Sequence, residues 1–133
     1  MVIDTSALVA ILRSEPERRE FVLAIEQAEH RVLSAVSFVE TSIVIGSRYG
    51  PEGLRDLDLF IGKARIEIVS VEEEQAQIAR RAFMQYGKGH HPARLNLGDC
   101  FAYALAKVLD EPLLCKGGDF VRTDIATHLR PAS

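Results

Sequence analysis

Short apolar runs alternate with stretches in which apolar residues recur every three or four positions. Val2 and Ile3 form the first short run, and Asp4-Thr5-Ser6 follows it with residue types that cap helices. The apolar residues after this cap have the spacing of one helix face: Ala7, Leu8, Ile11 and Leu12. The beginning of the chain therefore predicts a strand that leads directly into a helix.

The same alternation continues along the rest of the chain. Helical spacing predicts further helices at about 16–28, 37–46, 54–61, 72–86 and 97–109. Short apolar runs predict strands at about 31–33, 66–69 and 113–115, and a last short strand in the tail 123–130. Ser37 and Glu40 have the S-x-x-E spacing of a capping box, which predicts that the third helix begins at Ser37. Gly50-Pro51 separates this helix from the fourth.

The order of these elements decides the fold class. Short apolar strands separated by helices, with no hairpin signal, are typical of a parallel sheet with helices on both faces. We therefore expect an α/β fold, a three-layer α/β/α sandwich around a mostly parallel sheet of about five short strands. The chain has no internal repeat and no linker, and so we expect one domain over residues 1–133.

Composition excludes several classes of protein. Hydrophobic residues make up 47% and charged residues 26% of the 133 positions, which is typical of a globular protein rather than a disordered or fibrous one. No stretch is apolar enough to predict a membrane span, and the first residues lack the basic and apolar regions of a signal peptide. Cys100 and Cys115 have neither CxxC nor zinc-ligand spacing, so we expect two reduced thiols in a cytoplasmic protein.

Four acidic residues lie where this fold class places its ligands, at the carboxyl ends of strands and the amino ends of helices. They are Asp4, Glu40, Asp99 and Asp119. Four carboxylates within about 6 Å would repel one another by about 3 kcal/mol per ionised pair at an effective dielectric constant near 20, so a cation is needed among them. Oxygen ligands without histidine or cysteine favour a hard ion such as Mg²⁺ or Mn²⁺.

Each of these acids also has a purely structural explanation. Asp4 has the position of a helix N-cap, Glu40 completes a capping box, Asp99 lies in the first turn of a helix, and Asp119 follows a glycine turn. Such caps give no reason for four carboxylates to face one edge of one sheet. The residues alone leave both explanations open.

Four segments of the chain carry a resemblance to a known family: Val2–Leu8, Ser37-x-x-Glu40, Leu97–Ala106 and Leu113–Phe120. Together they resemble the PIN-domain nucleases, and most of all the VapC toxins of prokaryotic type II toxin–antitoxin pairs. The resemblance extends from Val2 to about Pro131. It implies the PIN-domain form of the expected sandwich and an Mg²⁺- or Mn²⁺-dependent endoribonuclease that leaves 5′-phosphate and 3′-hydroxyl ends.

The resemblance also implies roles for individual residues. The catalytic acids would be Asp4, Glu40, Asp99 and Asp119. The metal residues among them would be Asp4, Asp99 and Asp119, with Asp4 and Asp99 holding the ion most directly, while Asp119 and Glu40 complete the shell or act through bound water. Ser6 would assist through its hydroxyl group. Gly117 stands where many family members have a further Asp, which leaves the number of bound ions open. Thr123 and Asp124 follow closely and are the auxiliary residues of this interpretation.

The net charge, the surplus apolar residues and the family resemblance each bear on which partners the protein binds. The net charge of −3 argues against binding RNA through overall positive charge, but five residues near the acids predict a local RNA contact: Lys88, His90, His91, Arg94 and Lys116. Surplus apolar residues at Phe38, Ile45, Leu59 and Phe60 indicate either a partner surface or additional core. The resemblance implies a homodimer and a VapB-type antitoxin.

Three other functions are compatible with parts of the pattern. His90 and His91 are the residues that a metal-free ribonuclease would use as acid and base, with a cyclic phosphate product. A phospho-accepting receiver domain shares the parallel sheet, but it resembles this chain poorly because Asp4 has no adjacent acid. The third is a non-catalytic PIN-like scaffold that binds RNA or protein. Retention of all four acids argues against it.

Overall fold

Four short parallel strands form the centre of the protein. The computed structural model describes residues 1–128. Within them the strands are β1 Val2–Ile3, β2 Val32–Ser34, β3 Glu67–Val69 and β4 Leu113–Leu114, in the sheet order β3-β2-β1-β4. Val2 lies beside Val32 on one side and Leu113 on the other. The predicted last strand appears as a single parallel bridge between Leu113 and Thr127, and positions 129 and 130 lie outside the described residues.

Five α-helices and one 3₁₀ turn surround this sheet. The helices are α1 Thr5–Leu12, α2 Arg18–Gln27, α3 Ala35–Lys63, α4 Glu73–Tyr86 and α5 Leu97–Leu109, and the 3₁₀ turn is Phe120–Arg122. Successive strand residues point to opposite faces. Ile3 therefore packs in a core with α1, α2 and the second half of α3, whereas Val2 packs in a core with α4 and α5. The predicted three-layer α/β/α class is confirmed.

The amino end of α3 differs from the prediction. The helix begins at Ala35, and its N-cap is Ser34, whose hydroxyl accepts a hydrogen bond from the Val36 amide at 3.2 Å. Ser37 is already inside the helix and is buried, so the capping box predicted at Ser37 and Glu40 is wrong. The reason is that β2 ends at Ser34, which leaves no intervening loop for a later start.

The predicted break at Gly50-Pro51 is present as a kink within α3. Gly50 has a φ of 68° and a ψ of −154°, outside helical geometry. Proline disfavours helical geometry in the residue before it, and glycine accepts the left-handed φ without a steric penalty. The two halves of α3 therefore follow different directions, and only the first half approaches the sheet edge described below.

Most of the surplus apolar residues of the two predicted middle helices belong to the core. Ile45 is 1% exposed, and Phe38 and Phe60 pack against the core on the α1 side. Leu59 is 52% exposed. Burial within the monomer is thus correct for three of these four residues. Among residues 1–128, no helix combines the length and apolar character needed to cross a membrane.

Candidate active site

Asp4 is the N-cap of α1 and lies at the carboxyl end of β1. Its Oδ2 accepts hydrogen bonds from the Ser6 amide at 3.0 Å and the Ser6 hydroxyl at 2.6 Å. The residue is only 2% exposed, and its second oxygen, Oδ1, is buried without a hydrogen-bond partner. A buried, unpartnered carboxylate oxygen is unfavourable unless a proton or a cation satisfies it.

Ser6 joins Asp4 to the segment that carries Asp119. While its hydroxyl donates to Asp4, the same oxygen accepts a hydrogen bond from the Lys116 amide at 2.9 Å. The segment after β4 is therefore fixed to the first turn of α1. Asp119 is exposed and immediately precedes the 3₁₀ turn. In the same segment Gly117 has a φ of 93°, where a side chain would be strained.

Glu40 reaches this edge from the second turn of α3. The Thr5 hydroxyl donates a hydrogen bond to Glu40 Oε1 at 2.7 Å. On its other side the carboxylate lies against Gly98, where an added Cβ would be 2.2 Å from Glu40 Oε2. Sequence reasoning missed both Thr5 and Gly98 as site residues. Thr5 carried a signal, since it is a hydroxyl residue next to Asp4, but the Gly98 contact depends on the tertiary approach of α3 to α5.

Asp99 forms a reciprocal cap with Asn96. The Asp99 amide donates to Asn96 Oδ1 at 2.8 Å, and the Asn96 amide donates to Asp99 Oδ2 at 3.0 Å. Asp4 is therefore a helix N-cap, and Asp99 is the partner of the Asn96 N-cap in a capping box. The capping explanation and the acidic-site explanation do not exclude each other, because each cap uses only one of the two carboxylate oxygens.

The charges of the four acids act on one another. The pKa of Asp99 is raised to about 7, chiefly by burial and also by the charges of Asp4, Glu40 and Asp119, against the lowering effect of the Asn96 amide. Burial also raises the pKa of Asp4, with a contribution from Glu40. The pKa of Cys115 rises to about 12, again through burial and through three of these carboxylates. The structure thus brings Asp4, Glu40, Asp99 and Asp119 to one edge of the sheet.

The arrangement suits a hard divalent cation in its donor chemistry, although the donors are spread out. Carboxylate oxygens of this kind are the ligands that Mg²⁺ and Mn²⁺ prefer, and Asp4 Oδ1 lacks any other partner. In the described part of the chain, no three Asp, Glu, His or Cys side chains lie close enough together to form a ready-made ion site. The acids therefore share an electrostatic field rather than a completed coordination shell.

The predicted auxiliary residues lie beyond this edge. The Thr123 hydroxyl donates to the Phe120 carbonyl at 2.7 Å and accepts from the Ile125 amide, which orders the segment after Asp119. Asp124 accepts hydrogen bonds from the Tyr103 hydroxyl and the Lys107 ammonium group, farther along α5 than Asp99. Because Lys107 neutralises it, Asp124 is not an unpaired charge directed at the acidic cluster.

The predicted RNA-contacting residues fall into three groups. Lys116 pairs with Glu15 at 2.7 Å and Glu17 at 3.3 Å, so its charge is already balanced. The rings of His90 and His91 pack edge-on against aromatic side chains of α4, and His91 Nδ1 accepts from the Ala93 amide at 3.0 Å. That bond orients the His91 ring and occupies one of its two nitrogens.

Lys88 and Arg94 form the third group. Both are exposed in the loop that connects α4 to α5, and backbone bonds of Lys88 and Tyr86 to Leu95 close this loop. Because the loop ends where α5 begins, it places these two positive charges on the side of the molecule that carries Asp99. Among residues 1–128 neither of them forms an ion pair, so both charges remain available for phosphate groups.

An apolar groove lies beside the acids. It encloses about 660 Å³, and Glu40 and Gly98 form its border. The apolar residues that line it come from α3, α5 and the segment before α4: Val36, Val39, Ile43, Val44, Val71 and Leu97. Ile43 is 62% exposed and Leu97 is 70% exposed. The first half of α3 thus contributes an exposed apolar surface on residues that the sequence analysis did not single out.

Comparisons with known proteins agree with this architecture. The family described as PIN domain matches residues 1–126. The chain is 51% identical to Ribonuclease VapC30 of Mycobacterium tuberculosis over 131 residues, which covers 98% of this chain and 100% of the relative. It is 52% identical to Ribonuclease VapC of Mycolicibacterium smegmatis over 126 residues, which covers 95% and 98% of the two chains.

Two solved structures share the fold at low sequence identity. VapC20 of Mycobacterium tuberculosis, described as a sarcin–ricin loop cleaving toxin, superposes with a TM-score of 0.77 at 16% identity over 98% of each chain. FitAcB of Neisseria gonorrhoeae superposes with a TM-score of 0.67 at 21% identity over 95% of this chain and 94% of that one. These likenesses concern the arrangement of strands and helices.

Proposed function

The chain belongs to the PIN-domain family and, within it, to the VapC ribonucleases, and on that premise we propose that it is a toxin that cleaves RNA with the help of Mg²⁺ or Mn²⁺. The observation that carries this proposal is the convergence of four carboxylates on one sheet edge, where burial, together with the charges of Asp4, Glu40 and Asp119, raises the pKa of Asp99 to about 7. Such repulsion is costly in a protein that has no use for it.

Asp4, Asp99 and Asp119 would hold the metal. When bound, the ion supplies a water of lowered pKa and neutralises the charge that develops on the phosphoryl oxygens. The protein holds the carboxylates in place for the ion. Ser6 holds one oxygen of Asp4, Asn96 holds one oxygen of Asp99, and each carboxylate keeps its other oxygen for the site.

The remaining site residues orient the acids and the RNA. Thr5 holds the Glu40 carboxylate at the edge of the site, and Thr123 orders the segment after Asp119. Lys88 and Arg94 are placed to contact the phosphate backbone, which positions RNA without reading its sequence. Because water rather than the 2′-hydroxyl group is the nucleophile, cleavage leaves 5′-phosphate and 3′-hydroxyl ends.

We propose that a VapB-type antitoxin is the toxin's partner and that the toxin forms a homodimer in the cytoplasm, where its RNA substrate is found. The apolar groove of α3 and α5 supports an interface, because exposed apolar residues line it next to the acidic edge. Burial of such residues stabilises association. A partner that covers this groove also obstructs access to Glu40.

The direct test is cleavage of total RNA by the purified protein with Mg²⁺, with EDTA, and with EDTA followed by excess Mg²⁺. We expect cleavage only in the first and third conditions, with 5′-phosphate ends that a 5′-phosphate-dependent exonuclease digests. Cleavage that persists in EDTA and leaves cyclic phosphate ends would contradict the proposal and support His90 and His91 as an acid–base pair.

A second candidate is a non-catalytic scaffold that binds RNA or protein. The separation of the carboxylates favours it, because no three of them form a ready-made ion site in the described chain. In that case the wild-type protein binds RNA without cutting it at any Mg²⁺ concentration, and substitution of Asp99 leaves the RNA affinity unchanged.

A further inference from the structure

We infer that Gly98 is a positioning residue, whose missing side chain makes the space in which the Glu40 carboxylate lies. This inference rests on the proposed nuclease function. A Cβ added at Gly98 would lie 2.2 Å from Glu40 Oε2 and 2.5 Å from both Oε1 and Cδ. All three atoms are closer than a non-bonded contact permits, so rotation of the carboxylate about its own bond does not relieve the clash. The whole carboxyl group has to move.

The Glu40 carboxylate is held in a defined position. The Thr5 hydroxyl holds Oε1 at 2.7 Å from the first turn of α1, and Gly98 is the second residue of α5. The carboxylate thus lies between two helix N-termini, where the partial positive charge of each helix favours an anion. A displaced carboxylate loses the Thr5 bond and moves its charge relative to Asp4 and Asp99.

Displacement of the Glu40 carboxylate should lower the rate of turnover rather than weaken RNA binding. Gly98 is buried, and its added Cβ would meet Glu40 rather than open solvent. Lys88 and Arg94, the residues proposed to contact phosphate, lie in the preceding loop. We therefore expect Gly98→Ala to lower kcat at least about tenfold, since a misplacement of about 1 Å in an active site costs up to about 100-fold. KM should stay within about twofold.

The chain offers a matched control. Gly62 lies in the last turn of α3, and an added Cβ there meets nothing within 4 Å. Gly62→Ala makes the same chemical change in a helix, and alanine has the higher helix propensity. We expect Gly62→Ala to keep the wild-type kcat and to leave Tm unchanged or higher.

A thermal double-mutant cycle with Glu40→Ala provides a readout that does not depend on activity. We expect Gly98→Ala to give a lower Tm, relative to its parent, in the wild-type background than in the Glu40→Ala background, where the clash is absent and alanine has the higher helix propensity. If Gly98→Ala itself does not fold, folding of the double variant is the same result in stronger form.

An equal change of Tm in both backgrounds, or a wild-type kcat for Gly98→Ala, would overturn the role of Gly98. If the proposed nuclease function is wrong, the experiments give a different result. In that case the wild-type protein cuts no RNA, while the Tm cycle still reports whether Gly98 makes room for Glu40.

Discussion

The Ser6 hydroxyl donates to Asp4 Oδ2 at 2.6 Å while it accepts a hydrogen bond from the Lys116 amide at 2.9 Å. One side chain thus connects the end of β1 to the segment after β4. Asp4 and Asp119 come from opposite ends of the chain, and Ser6 ties together the segments that carry them.

Ser6→Ala removes both hydrogen bonds of this connection. We expect kcat to fall about tenfold or more, because Asp4 keeps only the Ser6 amide as a donor and the Asp119 segment loses its anchor. The free energy of unfolding should fall by about 2 kcal/mol, since each of the two hydrogen bonds contributes about 1 kcal/mol. Single-turnover cleavage and thermal melts measure the two effects. Ser47→Ala, on the exposed surface of α3, is the matched control, and equal activity of the two variants would contradict the role of Ser6.

The raised pKa of Asp99 predicts how stability depends on pH in the absence of metal. The folded pKa, about 7, exceeds the ordinary value of 3.8, so between these pH values the folded state binds more protons than the unfolded state. Stability therefore falls as pH rises from about 4 to about 7. Asp99→Asn should flatten this dependence and raise Tm at pH 8. Thermal melts in EDTA across this pH range measure both effects, and a wild-type Tm that rises steadily from pH 4 to pH 7 would count against the repulsion.

A double variant that carries Lys88→Ala and Arg94→Ala tests the proposed RNA contact. We expect KM for RNA to rise about tenfold with little change in kcat, because phosphate contacts position the substrate. The slope of log affinity against log salt concentration should decrease by about 1.4, since each contact to single-stranded nucleic acid contributes about 0.7. The control is Arg55→Ala with Lys63→Ala, which removes the same charge from the second half of α3. An identical salt slope in the two double variants would exclude Lys88 and Arg94 from the interface.

Ile43→Asp tests the apolar groove as an interface. The side chain is 62% exposed in the monomer, so the charge should cost little folding stability. We expect it to weaken dimer formation or antitoxin binding at least tenfold, because a charge in an apolar interface is left unpaired. Light scattering and titration with the antitoxin measure this effect. Met84→Asp is the matched control, since Met84 is 63% exposed on α4 and does not line the groove. If Ile43→Asp and Met84→Asp associate equally well, the groove is not the interface.

Much of the fold follows from local pattern. The apolar runs predicted the four strands because each strand is short and β1, β2 and β4 are buried, and the absence of hairpin signals predicted their parallel order. The same pattern made one edge the expected place for the acids, because carboxyl ends of parallel strands meet there, but it left the capping explanation equally open. What the pattern missed depends on contacts between distant segments. Ser37 and Glu40 match a capping box, yet Ser34 caps the helix because the strand ends there.

The details of the site were harder to predict from the sequence, because they too depend on contacts between distant segments. Ile45 and Leu59 both appeared as surplus apolar residues, and only packing against neighbouring helices shows that Ile45 is buried and Leu59 is exposed. Nothing local to Gly98 indicates that Glu40, from another helix, occupies the space beside it. The loop residue Lys116 resembled an RNA contact, but Glu15 and Glu17 approach it from a different part of the chain.

The central claim is that four carboxylates on one sheet edge act together with a divalent ion to hydrolyse RNA. Comparison of wild-type and Asp99→Asn protein in Mg²⁺, with the 5′ ends of the products mapped, tests it most directly. Asparagine retains the side-chain oxygen that caps α5, so the fold should persist while metal-dependent cleavage falls at least about 100-fold. Undiminished Mg²⁺-dependent cleavage by a rigorously purified Asp99→Asn protein, at the same sites and with the same ends, would contradict the account.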